Sequence, residues 1–425
     1  MIKLIKYPDR KDWKELVKRP VFENSLLEKS VKKMLDKVKT KGDKAVRKYT
    51  KEFDGVKLKK VQVSEKEIKA AENLLSPALK RAIQQAKTNI ETFHRTQVEE
   101  VRVIETMPGI NCWRKSVGIE KVGIYIPGGS APLFSTVLML AIPASIAGCK
   151  EIILCTPPSK DGSVNPAILF AATLCGVTKI FKVGGVQAIA AMAYGTDTIP
   201  KVFKIFGPGN QYVTAAKQMI QQDGIAIDMP AGPSEVLVIA DETAIPEFVA
   251  ADLLSQAEHG SDSQVILITT RETVAAKVQL CIKEQLKDLP RKDIAENALS
   301  NSKIVLVNTI DEALELSNCY APEHLILSCS NANELTNSVI AAGSVFLGNY
   351  SPESAGDYAS GTNHTLPTNG YAAMYNGVSV DSFVKKITFQ QLTKEGLENI
   401  GDTVVEMAAA EGLDAHKHAV AIRLK

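Results

Sequence analysis

Five of the six histidines, His259, His324, His364, His416 and His418, fall in the last two-fifths of the chain, each in a polar setting. Four of them have a carboxylate or an amide close by: Gln256 and His259 in LLSQAEHG, Glu323 and His324 in APEHL, Asp357 and His364 in GDYASGTNH, Glu411 and His416 in EGLDAH. Imidazole nitrogens with carboxylate or amide oxygens suit a zinc ion that keeps a position open for substrate. The same residue types move protons in general acid–base catalysis. One such histidine is more often a satisfied surface or helix-end residue. Four segments that repeat the pairing argue for a composite site.

Different carriers must bring these groups together. FVAADLLSQAEHG has helical spacing, which puts Gln256 and His259 on one face and turns Glu258 elsewhere. Ser351 to Gly370, SPESAGDYASGTNHTLPTNG, reads as a loop in which almost nothing can pack in a core. Gly356, Gly361 and Gly370 allow tight backbone paths, and Pro352 and Pro367 stiffen its ends. His418 is two residues from His416 and points away from it on a helix. His94 ends an amphipathic pattern near no other candidate and reads as structural.

From Ser25 to about Gln97 the apolar spacing is helical, with Leu26, Leu27, Val31, Met34, Leu35 and Val38 at threes and fours. Ser64 with Glu67 makes a capping box, and Ser76-Pro77 an N-cap with proline at the first helical position. At Val122 the texture changes to short apolar runs closing on glycine or proline: VGIYIPGG, EIILCTPP, KIFKVGG and KVFKIFGPG. IAIDMPAG and EVLVIAD lead to a second series, QVILITT, KIVLVNT, HLILSC and SVFLGN. Ala-rich helical stretches such as 132–147 and 186–194 lie between the first runs. This alternation predicts two α/β units with parallel sheets, and helical patterns from Thr388 to Lys417 close the chain. Ligands of such sheets sit at strand carboxyl ends, where helix N-termini meet anions. Gly128-Gly129, Gly184-Gly185 and Gly207-Pro208-Gly209 follow predicted strands and suit a phosphate-bearing cofactor, although no GxGxxG is present.

The chain has 425 residues, 45% hydrophobic and 23% charged, enough for two or three domains. MIKLIKYPDRKDW lacks an apolar signal core, and the longest apolar run, 133–148, contains Pro143 and is too short for a membrane span. A cytoplasmic protein without membrane contact is expected. Seven scattered cysteines with no CxxC read as free thiols. Net charge is +2, yet residues 1–60 hold twenty Lys or Arg against nine Asp or Glu. Interleaved acids make that region a solvated helix face rather than a nucleic-acid arm.

From about residue 25 to the end the chain resembles the histidinol dehydrogenase family, through YIPGG, FGPGN, DMPAGPSE, LLSQAEHG, APEHL, GDYASGTNH with LPT, and EGLDAH. The resemblance implies two Rossmann-like parallel-sheet domains with helical N-terminal and C-terminal extensions in an intertwined homodimer. Residues 1–20 would be an N-terminal segment, 21–124 with 235–380 the catalytic domain, and 125–234 the NAD-binding domain. Residues 381–425 would be a tail contributing to the partner subunit's site.

By the same resemblance Gln256, His259, Asp357 and His416 bind zinc, His416 coming from the partner subunit. Glu323 and His324 are the acid–base pair. Ser234, His364 and Glu411 contact substrate with the zinc ligands and His324, and Tyr125, Gln187 and Asn210 line the NAD site. The implied reaction takes L-histidinol through the aldehyde to L-histidine and reduces two NAD. Three other readings stand beside it. One is a zinc hydrolase using Glu323 as base, and another is a metal- or nucleotide-binding module without catalysis. The third is aldehyde oxidation through a thiohemiacetal on Cys112 or Cys149.

Overall fold

The apolar runs read from the sequence form two parallel sheets. The computed structural model describes residues 2–19, 25–128, 132–230 and 232–425. One sheet contains β4 (Lys121–Tyr125), β5 (Glu151–Thr156), β6 (Lys179–Lys182), β7 (Lys204–Phe206) and β8 (Ala226–Ile227), in the order β6-β5-β4-β7-β8. The other contains β1 (Lys3–Lys6), β9 (Glu235–Ala240), β10 (Gln264–Thr269), β11 (Lys303–Leu306), β12 (His324–Ser328) and β13 (Ser344–Leu347), in the order β1-β11-β10-β9-β12-β13. Every residue of β9 and β10 is buried, as expected of strands covered on both faces.

With β1 set aside, both units have the order third, second, first, fourth, fifth strand. They share one topology that no sequence repeat announces. In each, the connection reverses direction beside the first strand, at β4/β7 and at β9/β12.

The helices between residues 25 and 95 pack on the five-stranded unit, which differs from the expected grouping of 21–124 with 235–380. Val31, Leu35 and Val38 share a core with Ile153 and Phe181, and Ile83 and Ile90 share one with Ile124 and Leu138. Leu26 departs from the expected apolar face and is exposed, because the buried stripe runs through Leu27, Val31, Met34, Leu35 and Val38. The capping box forms, Ser64 N–H donating to Glu67 at 2.8 Å, and Pro77 opens the next helix. The expected N-terminal segment adds β1 to the edge of the six-stranded sheet beside β11.

The expected helix from Thr388 is corrected. Val384–Leu392 is a strand, β14, antiparallel to β3 (Ile110–Gly118), which also pairs with β2 (Val103–Met107). Helices Lys394–Ala410 and Asp414–Ala421 follow. The partner of β14 lies far away in sequence, so no local pattern marks the pairing. No helix among the described residues is long and apolar enough to cross a membrane.

The 351–370 segment is also corrected: it contains a helix, Glu353–Tyr358, and much of it is buried. Its polar groups go inside because they are bonded. Asn363 donates to the Met139 carbonyl at 2.7 Å and accepts from Thr365 N–H at 2.9 Å. His94, fully buried, lies 3.3 Å from Asn363 and is therefore structural, but coupled to this segment. Gly356 is required, since a Cβ there would stand 2.6 Å from the Phe346 ring.

Candidate active site

Glu323 and His324, the expected acid–base pair, sit where β9 and β12 adjoin. Glu323 immediately precedes β12, His324 begins it, and both are buried. This is the amino edge of the sheet, not the carboxyl edge expected of ligand sites. The helix Pro246–Ala257 accounts for the difference, because it runs back along the sheet from the carboxyl end of β9 and delivers Gln256 to the amino edge.

Glu235, the first residue of β9, organises this edge. Its N–H donates to Glu323 Oε2 at 2.8 Å. Its carbonyl lies 3.0 Å from His324 Nδ1 and accepts from Gln256 Nε2 at 3.3 Å. Its carboxylate, 2% exposed, pairs with Arg19 and accepts the Asn369 N–H at 2.9 Å. Arg19 also donates to the Tyr320 carbonyl at 2.8 Å and stacks over the Tyr320 ring. A backbone carbonyl can only accept, so a proton on His324 Nδ1 points to Glu235 and leaves Nε2 toward the site.

Gln256 is buried with Nε2 2.8 Å from His324 Nδ1 and 3.5 Å from Glu353 Oε2. Its Oε1 is buried and without a hydrogen-bond partner. His259 lies beyond the helix end and is exposed, which corrects the shared-face reading. A turn keeps it close, its N–H reaching the Gln256 carbonyl at 3.3 Å. It stands within electrostatic reach of Asp357, His324 and His364.

The 351–370 segment supplies the opposite wall. Asp357 Oδ1 is 3.4 Å from His324 Nε2. His364 Nδ1 donates to the Asp357 carbonyl at 2.7 Å, and its Nε2 lies 3.0 Å from Thr136 Oγ1. Thr136 is in the first turn of helix Phe134–Ile146, which starts at the carboxyl side of β4, so this contact joins the two units. Ser234 is half-buried, one residue before β9. Glu411 and His416 are exposed near the chain's end, and this chain does not bring them to the site.

Burial pushes Glu323 up to about 8 and Glu353 up to about 8. Burial would lower His324, but Glu323 and the Asp357 hydrogen bond outweigh it and push His324 up to about 10. Burial also works against ionising Asp357, yet the His324 hydrogen bond and the neighbouring histidines hold it below the usual carboxylate range. Three carboxyl groups around one imidazole make a site that favours cations.

A second site lies at the carboxyl ends of β4, β6 and β7. Tyr125, Gln187 and Asn210 line one cavity of about 750 Å³, with Asp54, Gly128 and Gly185. Tyr125 Oη accepts the Gly185 N–H at 3.0 Å, and Asn210 Oδ1 caps helix Gln211–Ile220. Gln187 is 1% exposed and its Oε1 has no partner. Gly207 is required there: its φ is +127° and a Cβ would stand 2.0 Å from the Tyr125 carbonyl oxygen. Gly129 and Ala231 of the motifs lie outside the described residues.

Glu235, Glu353, Thr136, Arg19 and Asp54 were not singled out by sequence reasoning. An acidic residue opening the apolar run EVLVIA was the one available signal for Glu235. Among the described residues no three His, Cys, Asp or Glu side chains converge as a metal cage would require. The expected zinc set has only His259 and Asp357 of those types in one chain, with Gln256 as the amide and His416 from the partner subunit. Cys112 lies on β3 and Cys149 donates to the Phe383 carbonyl, so neither is placed with Glu323 and His324.

The family model described as histidinol dehydrogenase matches residues 17–424. A histidinol dehydrogenase of Bacteroides thetaiotaomicron is 62% identical over 424 residues, covering 100% of this chain and 99% of that protein. One of Escherichia coli (strain K12) is 52% identical over 414 residues, covering 97% and 94%. A crystal structure of histidinol dehydrogenase from Elizabethkingia anophelis matches with TM-score 0.98 at 58% identity, covering 100% of this chain and 98% of that one. The chain belongs to the histidinol dehydrogenase family.

Proposed function

We propose that this chain performs the zinc-dependent four-electron oxidation of L-histidinol, through L-histidinaldehyde, to L-histidine with two NAD, as a cytoplasmic homodimer. Family membership makes it an NAD-dependent oxidoreductase of histidine biosynthesis.

The observation that carries it is Gln256 Oε1. The amide nitrogen donates to the Glu235 carbonyl, and the oxygen is left buried without a hydrogen-bond partner. A buried acceptor without a donor is costly, and a metal ligand role relieves it. Gln256, His259 and Asp357 would hold zinc with His416 of the partner subunit. Zinc, when bound, supplies a cationic anchor for the amine and imidazole nitrogens of histidinol. The orphaned Gln187 Oε1 likewise fits the second cavity to a donor-bearing nucleotide, and NAD, when bound, accepts the hydride in each round.

Unprotonated His324 takes the substrate hydroxyl proton on Nε2, while Nδ1 stays oriented by Glu235. Glu323 removes a proton from the water that adds to the aldehyde, its Oε2 held by the Glu235 N–H. The raised basicity of a buried carboxylate suits this role. Ser234, His364 and the partner subunit's Glu411 hold the substrate. Exposed Val103, Ile104, Phe389, Met407 and Leu413 on the third sheet and terminal helices support a dimer that covers this end.

Metal content measured with NADH formed per histidinol consumed tests the reading. A ratio near two with bound zinc supports it, whereas a ratio near one would mean a simple alcohol dehydrogenase.

A further inference from the structure

Asp54 lines the cavity of about 750 Å³ and has no role in the reading above. It ends the helical turn Thr50–Asp54, just before Gly55, whose φ is +72°. Its Oδ2 is buried without a hydrogen-bond partner, and Gln187 Oε1 in the same cavity is in the same condition. Two buried, unpaired acceptors on residues that line one space would be satisfied by a ligand rich in donors. Among the described residues lining the cavity Asp54 is the one carboxylate, and no lysine or arginine lines it. Anionic parts of a ligand would have to rely on backbone N–H groups at a helix start such as that of Gln211–Ile220.

A carboxylate can accept from two vicinal hydroxyls at once, as the diol of a ribose offers. A phosphate on that diol removes a donor and adds charge close to −2 beside the carboxylate, with no cation to offset it. Burial pushes Asp54 up to about 6, so the group is ionised at pH 8.

We propose that Asp54 is a specificity-determining residue that accepts hydrogen bonds from a ribose diol of NAD and excludes the 2′-phosphate of NADP, with Gln187 Oε1 taking another donor of the same nucleotide. The proposal rests on the reading of this cavity as the nicotinamide-nucleotide site. Its test compares NAD and NADP kinetics at pH 8 for the zinc-loaded wild-type enzyme, Asp54→Asn, Asp54→Ala and Gln187→Ala, with thermal melts of each. The wild type should prefer NAD by at least about 100-fold in kcat/KM, and both Asp54 variants should cut that ratio by at least about tenfold, through a higher KM for NAD and a lower one for NADP.

If Gln187→Ala raises the KM for NAD while the ratio stays unchanged in both Asp54 variants, the cavity is the nucleotide site and the Asp54 assignment is wrong. If none of the variants alters the KM for NAD, the cavity reading fails and the assignment with it. Asp54→Asn keeps the shape of the side chain, so the comparison survives a loss of stability in Asp54→Ala.

Discussion

Glu235 grips Glu323 through its backbone, donating its N–H to Glu323 Oε2 at 2.8 Å, and sets its carbonyl 3.0 Å from His324 Nδ1. One peptide segment thus orients both Glu323 and His324. Its position depends on the buried pairing of the Glu235 carboxylate with Arg19. Arg19→Ala leaves that carboxylate buried and unpaired, at a cost of about 3–5 kcal/mol, and should lower the Tm. Adding Glu235→Gln should recover part of the loss. A double-mutant cycle by denaturant unfolding measures the coupling, and strict additivity would refute it.

In the proposed reaction His324 serves both oxidations and Glu323 only the second. His324→Asn should abolish oxidation of histidinol and of the aldehyde's hydrate alike, by at least about 100-fold, since both steps remove a hydroxyl proton. Glu323→Gln should spare the alcohol step and slow aldehyde oxidation. Single-turnover NADH formation from histidinol and from histidinaldehyde separates the steps, and the reverse pattern would exchange the roles.

Gln256→Ala removes the unpaired oxygen assigned to zinc. Its zinc affinity should fall by at least about 100-fold, a loss larger than that of an outer-shell partner. Competition with a chelator reads this directly, without turnover. An unchanged affinity would show that the oxygen is not a ligand.

Asp252 titrates with folding. It is 9% exposed in helix Pro246–Ala257, and burial pushes it up to about 7 from an ordinary value of 3.8. The folded state therefore holds this proton more tightly than the unfolded chain. Its contribution is most favourable below pH 3.8 and is lost as pH rises to about 7. Asp252→Asn should be more stable than wild type at pH 8, by up to about 4 kcal/mol, with a smaller gain at pH 5. Unfolding curves at the two pH values check the sign.

The cysteine route makes a clear contrary prediction. Burial pushes the Cys149 thiol up to about 12, where it is no nucleophile, and Cys112 sits on the third sheet. A Cys112→Ser/Cys149→Ser enzyme should keep kcat within about twofold of wild type if Glu323 activates water. Loss of aldehyde oxidation alone would restore the thiohemiacetal.

Local chemistry made much of this protein legible in its sequence. Short apolar runs, those of β4 to β7 closing on glycine or proline, marked β4 to β7 and β9 to β13, because strands buried on both faces must be continuously apolar. Ser64 with Glu67 and Ser76-Pro77 marked helix starts, because caps use neighbours in sequence. Pairs such as Glu323-His324 and Asp357 with His364 drew attention to segments that the fold brings together, because few functions need those groups together.

Tertiary structure alone decided what depends on distant partners. β14 became a strand only through its pairing with β3. The 351–370 segment became an interior wall only because Met139, His94 and Thr136 meet its polar groups. The common order of the two sheets, the placing of Glu323 and His324 at an amino edge, and the role of Glu235 arise from crossovers and backbone groups. Every residue carries the same backbone N–H and carbonyl whatever its side chain, so no sequence pattern says which of them will orient a catalytic pair.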